Sequence, residues 1–362
     1  MSPATGIVLL TMGGPQDQEA VGPYLRRLFL NHEIMQLPAQ RVLGPVVAKV
    51  RGPHVRELYR TIGGGSPLYR WTRQQADEIA RRLDVRSPDT APHRGYVAFR
   101  YTDPLTEEAL REMHADGVRR AVAFVQFPQY SCATSGASIN ELWREAARIG
   151  LADAFDWSVL DRWSTHPSYI TALASTITDG LAEFAPEHRD EVLILFSAHS
   201  LPAKAVDRGD PYPQEIGATV RAVLDAAGVA NRYLLTYQSK VGPLPWQGPN
   251  TVKSLIGVAE RGVRRVLVVG ISFTADHIET LSEVDIELAE TAEKAGIAEF
   301  RRAPALNARP DFLDALVDIT AEHLAGTARC STQYPLRCPQ CVNPDCRLIA
   351  GKPVDGGGDA GN

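Results

Sequence analysis

Short runs of apolar, largely β-branched residues recur along the chain: GIVLLTM from Gly6, GYVAFRY from Gly95, AVAFVQF from Ala121, FDWSVLDRW from Phe155, EVLILFSAHS from Glu191, RYLLTYQS from Arg232 and RRVLVVGISF from Arg264. They are nearly continuous in their apolar character instead of alternating, which is the pattern of strands covered on both faces. Between most of them lie segments with apolar residues at helical spacing, such as DPLTEEALREMHADGV from Asp103 and QEIGATVRAVLDAAGV from Gln214. Strands alternating with helices predict an α/β protein with parallel sheets. One set of strands ends by about Trp163 and a second begins at Val192, so the chain reads as two doubly wound halves. Sheets of this kind bind ligands beyond the carboxyl ends of their strands, and residues just after strands therefore carry the functional weight.

The length of 362 residues accommodates two domains. A net charge of −5, from 38 basic and 43 acidic residues, gives no global positive field for nucleic acid. No apolar run reaches the ~18 residues that span a bilayer, and MSPATGIVLL enters a strand-like run almost at once. With five cysteines in no evenly spaced framework, the chain reads as a bacterial cytoplasmic protein of a reducing compartment.

The glycine-rich stretches MGGP from Met12 and IGGGSP from Ile62 lack both the dinucleotide fingerprint and the Gly-Lys-Ser/Thr ending of a phosphate loop, so no nucleotide is expected. They read as tight turns, or as loops that shape a pocket. FSAHSLP places His199 directly after the strand VLILF, where an imidazole can exchange protons or bind metal near neutral pH. FTADHIETLSEVDIE, Phe273–Glu287, follows the strand VLVVG. If it is helical from Asp276, about 100° per residue sets Asp276, Glu279, Glu283 and Glu287 in one stripe, with Ile278, Leu281, Val284 and Leu288 opposite. Such a stripe suits a proton or metal route starting at the strand end, although it also suits an ordinary amphipathic helix with Asp276 and Glu279 as a capping pair. For His277 and Glu279 to share a site, the turn must be wound irregularly. Cys338, Cys341 and Cys346 form C-x2-C-x4-C, which serves a zinc ion or an iron–sulfur cluster equally well.

Nine strings taken in order, LTMGGP, YRTIGGGSP, FRYTDPLTEEAL, QFPQYSCATSGASIN, FSAHSLP, RGDPYPQE, YLLTYQSKVGPLPWQGP, FTADHIETLSEVDIE and CVNPDCR, closely resemble the ferrochelatase family from about Gly6 to Arg347. The resemblance implies two Rossmann-like domains with parallel sheets facing a porphyrin cleft. The divisions it suggests are 1–160 with an active-site lip, 161–306 with the metal and proton site, 307–326 as a helix packing on the first domain, 327–350 as a cluster-binding extension, and 351–362 as a disordered tail. It implies insertion of Fe²⁺ into protoporphyrin IX by a lyase, with His199 and Glu279 at the metallation site and Asp276, His277, Glu279 and Glu283 as an acidic relay that begins in a π-helical turn. His166 and Asp318 match further family positions. Met12, Arg51, Tyr59, Ser66, Arg100, Tyr101, Tyr212, Trp246 and Phe273 match positions lining the porphyrin, where aromatics suit a flat π-system and Arg51 and Ser66 suit propionates.

The same resemblance makes Cys132 the remote fourth ligand of a 2Fe-2S cluster with Cys338, Cys341 and Cys346, leaving Cys330 spare. Phe127 stands where animal members carry tyrosine, and Pro167 follows His166 where they carry a second histidine. The segment from Tyr24 to Val50, with Leu25, Leu28, Phe29, Leu37, Leu43, Val46 and Val47 among basic residues, resembles the family's lip and favours peripheral contact with an inner membrane. A monomer or homodimer is expected. Rivals are a coproporphyrin III ferrochelatase, against which Met12 speaks, and a non-catalytic porphyrin-binding or haem-binding protein, which would need no relay.

Overall fold

The computed structural model describes residues 4–33, 39–242, 244–341 and 343–354; Leu37 of the lip and most of the proposed tail, 355–362, lie outside the described residues. The chain divides into two units, Met1–Trp163 with Leu316–Asn362, and Ser164–Ala315.

The first unit is built on β1 (Thr5–Thr11), β2 (His93–Phe99), β3 (Arg120–Val125) and β4 (Asp156–Leu160), all parallel, in the order β2-β1-β3-β4. Every residue of β1 is buried, as its unbroken apolar run requires for a central strand. Its core joins Val8, Leu10, Ala121, Ala123 and Val125 to Leu142, Trp143 and Trp157. Helix Thr106–Ala115 falls inside the first segment whose period predicted it, and helix Tyr212–Ala227, in the other unit, starts two residues ahead of the second.

The second unit repeats the plan with β5 (Leu193–His199), β6 (Tyr233–Gln238), β7 (Arg265–Gly270) and β8 (Glu299–Arg302), parallel in the order β6-β5-β7-β8. The α/β expectation holds in both. The sequence pattern missed β8, an edge strand whose EFRR has no apolar run and ends in two charged residues that an edge tolerates. In each sheet the first strand is flanked by the second on one side and the third on the other, so the chain reverses its winding direction there. The switch points lie beyond β1 and β3 in one unit and beyond β5 and β7 in the other.

The unit boundary falls within the helix Pro310–Ala325. After it the chain runs as a strap along the first unit: Val159 N donates to Arg329 O at 2.7 Å, and Ser331 Oγ to Asp161 at 2.9 Å. Trp143 Nε1 and Tyr334 OH both donate to Leu348 O, at 2.8 and 2.6 Å. The tail expected from residue 351 starts too early. Lys352–Pro353, labelled β10, pairs with β9 (Leu348–Ile349), and Ile349 is anchored in the core, so backbone pairing continues to Pro353.

Candidate active site

His199 is the last residue of β5, and the stretch from Ile271 onward leaves β7, so both stand at the switch point of the second sheet. Ser272 ties them together, its Oγ accepting from His199 N at 3.0 Å. His199 Nδ1 lies 2.6 Å from Ser200 O, an acceptor that fixes Nδ1 as donor and leaves the Nε2 lone pair available. Tyr212, buried, donates from its hydroxyl to His199 O at 3.0 Å and so positions the strand end.

The acidic stretch departs from a regular helix. The expectation of a helix from Asp276, with four acids in one stripe, is corrected: His277 is extended at φ −159°, the helix spans only Ile278–Leu281, and Glu283–Leu288 winds as a π-helix. The cause is local, since His277 N donates to Thr280 Oγ1 at 3.0 Å and so caps the helix instead of entering it. His277 and Glu279 thus meet because the histidine precedes the helix, and the π-turn lies one turn later.

His277 Nδ1 sits 2.8 Å from Ala275 O and must donate to it, while Nε2 is 3.0 Å from Glu279 Oε2. That second contact needs a proton between the two atoms, whichever of them owns it. Phe273 packs edge-on against His277, with centroids 4.7 Å apart. Glu283 accepts from Ser239 Oγ at 2.6 Å and from Gln238 Nε2 at 3.1 Å. Burial, reinforced by the charge of Glu279, pushes its carboxyl up to about 7. Glu287 is exposed.

Asp276 is engaged differently. Arg302 Nη1 is 3.1 Å from its Oδ1, Asn307 Nδ2 donates to its Oδ2 at 2.7 Å, and Thr280 Oγ1 donates to Oδ1 at 3.2 Å. Arg302 also grips Asp285 in a forked pair at 2.6 and 2.8 Å. A cavity of about 20 Å³, room for one water, lies between Phe273, Thr280, Val284 and Arg302. Arg302, Asn307, Ser239 and Gln238 escaped the sequence reading. Asn307 had a local signal as an asparagine in a turn just ahead of a helix, where it adopts φ +46°, and Gln238 and Ser239 had one in closing the strand run RYLLTYQS.

The other expected residues of this unit are more scattered. Trp246 is half-buried on a bridge to Pro202, and His166 precedes the helix Pro167–Ala182. In the first unit the two glycine loops pack on each other. Ser66 N donates to Pro15 O at 2.7 Å, and a Cβ on Gly14 would stand 2.7 Å from Ser66 Oγ. This close approach, with Gly13, Gly63 and Gly64 at positive φ, explains the glycines without phosphate. Met12 is half-buried beside these loops, and Tyr101 N donates to its carbonyl at 3.2 Å. Tyr59, Ser66, Arg100 and Tyr101 are buried; Arg51 sits 6.0 Å from the Phe29 ring, and Asp318 pairs with Arg86 at 3.5 Å.

Cys132 and Cys338 bring their Sγ atoms to 3.3 Å, too far for a disulfide, and Cys346 hydrogen-bonds Cys341. Cys330 packs against the core, and burial pushes its thiol up to about 11. Among the described residues, no three histidine, cysteine or acidic side chains converge on one metal-ion position.

Two parallel sheets, with a histidine and carboxylates gathered at the strand-end switch point of the second, place the chain among α/β proteins that carry acid–base side chains at a sheet's switch point. Residues 4–324 match the family described as Ferrochelatase. The chain is 52% identical over 346 residues to the mitochondrial ferrochelatase of Bos taurus, covering 95% of this chain and 83% of that one. It is 50% identical to that of Homo sapiens (95% and 82% covered) and 46% to that of Drosophila melanogaster (95% and 90%). The chain belongs to the ferrochelatase family.

These relatives overturn the expectation of a bacterial cytoplasmic protein at an inner membrane, since each is named as mitochondrial. That expectation leaned on the residues ahead of β1. The human and bovine proteins are longer than the matched region, so the first residues here carry no information about compartment.

Proposed function

We propose that the protein is a lyase that inserts ferrous iron into protoporphyrin IX to give protohaem and two protons, with His199 and Glu279 as the metallation pair. The observation that carries this is the proton-holding contact between His277 and Glu279 at the switch point that His199 also occupies. Removing two pyrrole N–H protons requires acceptors of matched affinity. The Nε2 lone pair of His199 supplies one. Glu279 and His277, already sharing a proton, supply a place to which charge is handed on.

Glu283, whose carboxyl titrates about 7, continues the route behind them. Asp276, its oxygens engaged by Arg302, Asn307 and Thr280, holds the turn in place. Phe273, Tyr212 and Trp246 in one unit, and Met12, Arg51, Tyr59, Ser66, Arg100 and Tyr101 in the other, are the porphyrin-binding residues of the proposal; Arg100 is buried with Nη2 on Glu33 at 3.2 Å, and its Nε and Nη1 are further donors that a propionate could use. His166 and Asp318 stay in the catalytic set on resemblance alone. The test is incubation of the purified protein with Fe²⁺ and either protoporphyrin IX or coproporphyrin III under anaerobic conditions. Haem from protoporphyrin is expected; preferential turnover of coproporphyrin would replace the substrate, and turnover of neither would sink the reading.

The raised Glu283 carboxyl gives a pH prediction. The fold favours its protonated form, so folding stability falls as pH rises from the ordinary carboxyl value of 4.5 to about 7, and is flat above that. Turnover needs the ionised form and has an acidic limb near pH 7. Glu283→Gln is expected to flatten both the stability curve over this window and the limb; a limb that persists unchanged in the variant would assign it elsewhere.

A 2Fe-2S cluster is the proposed cofactor, held by Cys132, Cys338, Cys341 and Cys346. The donor set is compatible with it, because Cys132 and Cys338 bring their sulfurs to 3.3 Å and Cys341 and Cys338 lie beside Cys346, giving four thiols of the kind that ligate an iron–sulfur cluster. When bound, such a group supplies four iron–thiolate bonds that clamp the C-terminal strap to the first unit.

Peripheral membrane contact is proposed through the helix Gln40–Thr61, where Val42, Leu43, Val46 and Val50 are exposed beside Arg41 and Lys49, while Leu25 and Phe29 are buried. No helix among the described residues is long and apolar enough to cross a membrane. Val46→Glu with Val50→Glu is expected to reduce co-sedimentation with anionic phosphatidylcholine–cardiolipin vesicles at least tenfold. Undiminished sedimentation of the double variant would end this part of the proposal.

A further inference from the structure

We infer that Arg347 is the charge partner of the cysteine site: its guanidinium offsets the negative charge brought by a cluster on Cys132, Cys338, Cys341 and Cys346, and thereby raises the cluster's reduction potential. This rests on the cluster reading proposed above.

Arg347 follows Cys346 directly and is 5% exposed, yet its Nε and Nη1 have no hydrogen-bond partner. Two buried guanidinium nitrogens without acceptors are unfavourable, and a nearby anion would compensate them. What the fold itself offers is aromatic: the guanidinium carbon lies 3.8 Å from the Tyr130 ring centroid and 5.8 Å from that of Tyr334. Cation–π contact compensates only part of the lost hydration. The residue also adopts φ +69°, a left-handed conformation that a bulky side chain enters only when its surroundings hold it there.

Cys346, Cys132 and Cys338 are the thiols within electrostatic range of Arg347. As thiols they give the guanidinium nothing to pair with. As four thiolates on two ferric ions and two sulfides they form a dianion, which becomes a trianion on taking up one electron. N–H donors and positive charge beside the sulfurs favour the more negative, reduced form, which is a recognised control on cluster potentials. The cost of burying Arg347 is then offset when the cluster is present, and the direction of its effect on potential is fixed.

Arg162 supplies an internal control. Its guanidinium also lies against the Tyr130 ring, at 4.7 Å, but it is paired with Asp161 at 2.8 Å, so its charge is already met.

The test uses the full chain purified anaerobically and reconstituted with iron and sulfide, read by visible absorption, by dye-mediated redox titration and by the half-life of bleaching in air. Arg347→Gln is expected to lower the midpoint potential by at least the equivalent of a tenfold change in the one-electron equilibrium, about 59 mV, and to shorten the half-life several-fold. Arg347→Lys should recover most of the potential, and Arg162→Gln should leave it unchanged. If Arg347→Gln does not fold, as judged by far-ultraviolet circular dichroism, Arg347→Met, which keeps an apolar stem and removes the charge, is measured in its place. Wild-type potential and half-life in the charge-removing variant overturn the inference while leaving the cluster reading intact. A wild-type protein that takes up no cluster overturns the cluster reading and this inference together, and leaves the metallation reading untouched.

Discussion

His199→Ala is expected to lower insertion of Fe²⁺ or Zn²⁺ into protoporphyrin IX by about 10²- to 10⁴-fold, the usual contribution of a positioned acid–base group, while porphyrin still binds. Its Nδ1 is committed to the Ser200 carbonyl, so the lost function is that of Nε2 alone. The backbone consequences are small, because Ser272 and Tyr212 bind the main chain of residue 199 and not its ring. Glu279→Gln tests the same step from the other side. An amide cannot take up a proton, yet it can still meet His277 Nε2 at hydrogen-bonding distance, so the loss expected is in kcat with little change in KM. Porphyrin affinity is read from quenching of porphyrin fluorescence, and insertion from the metalloporphyrin spectrum. Near-normal turnover in either variant removes that residue from the metallation pair.

Arg302→Met is expected to cost about 3 kcal/mol of folding stability and to lower kcat with it. The side chains of Arg302 and Asp276 are 15% and 17% exposed, so removing the cation strands a half-buried carboxylate. Asp285, at 35%, can recover water, which places the cost at the low end of the range for broken buried pairs. The catalytic loss follows from geometry: Asp276 and Thr280 hold the turn that aims His277 and Glu279, and Asp276 is held by Arg302. Asp285→Asn, which leaves the Asp276 pair intact, should cost less than half as much. Urea denaturation and insertion kinetics on both variants check this, and a change below about 0.5 kcal/mol in Arg302→Met would show that the pair is idle.

The strands β1 to β7 were legible because each carries its own apolar run, written most fully in β1, which is buried throughout, although β4 and β6 leave residues exposed. β8 was not, since an edge strand with the sequence EFRR has no such run. The candidate site was legible in outline for the same reason: His199 and the Phe273–Glu287 stretch follow two of the clearest strands. Its internal division was not. A regular helix drawn from Asp276 puts four acids in a row as equals, whereas the structure starts the helix after His277 and winds a π-turn from Glu283. That capping depends on Thr280 turning back to a backbone N–H, a choice that periodicity does not register.

The sequence by itself determined the fold class, the two-fold repetition of doubly wound sheets, the placement of the candidate residues at strand ends and, through nine matching strings, the family. Tertiary structure alone decided what surrounds each acid. Val268 pairs with Arg302 across β7 and β8, and that register brings a cation from the edge of the sheet to Asp276, while Glu283 meets only hydroxyl and amide donors and keeps a carboxyl that titrates near 7. Four similar residues in one short stretch therefore differ because a carboxylate's proton affinity is set by the charges and burial around it, and those come from parts of the chain far away in sequence.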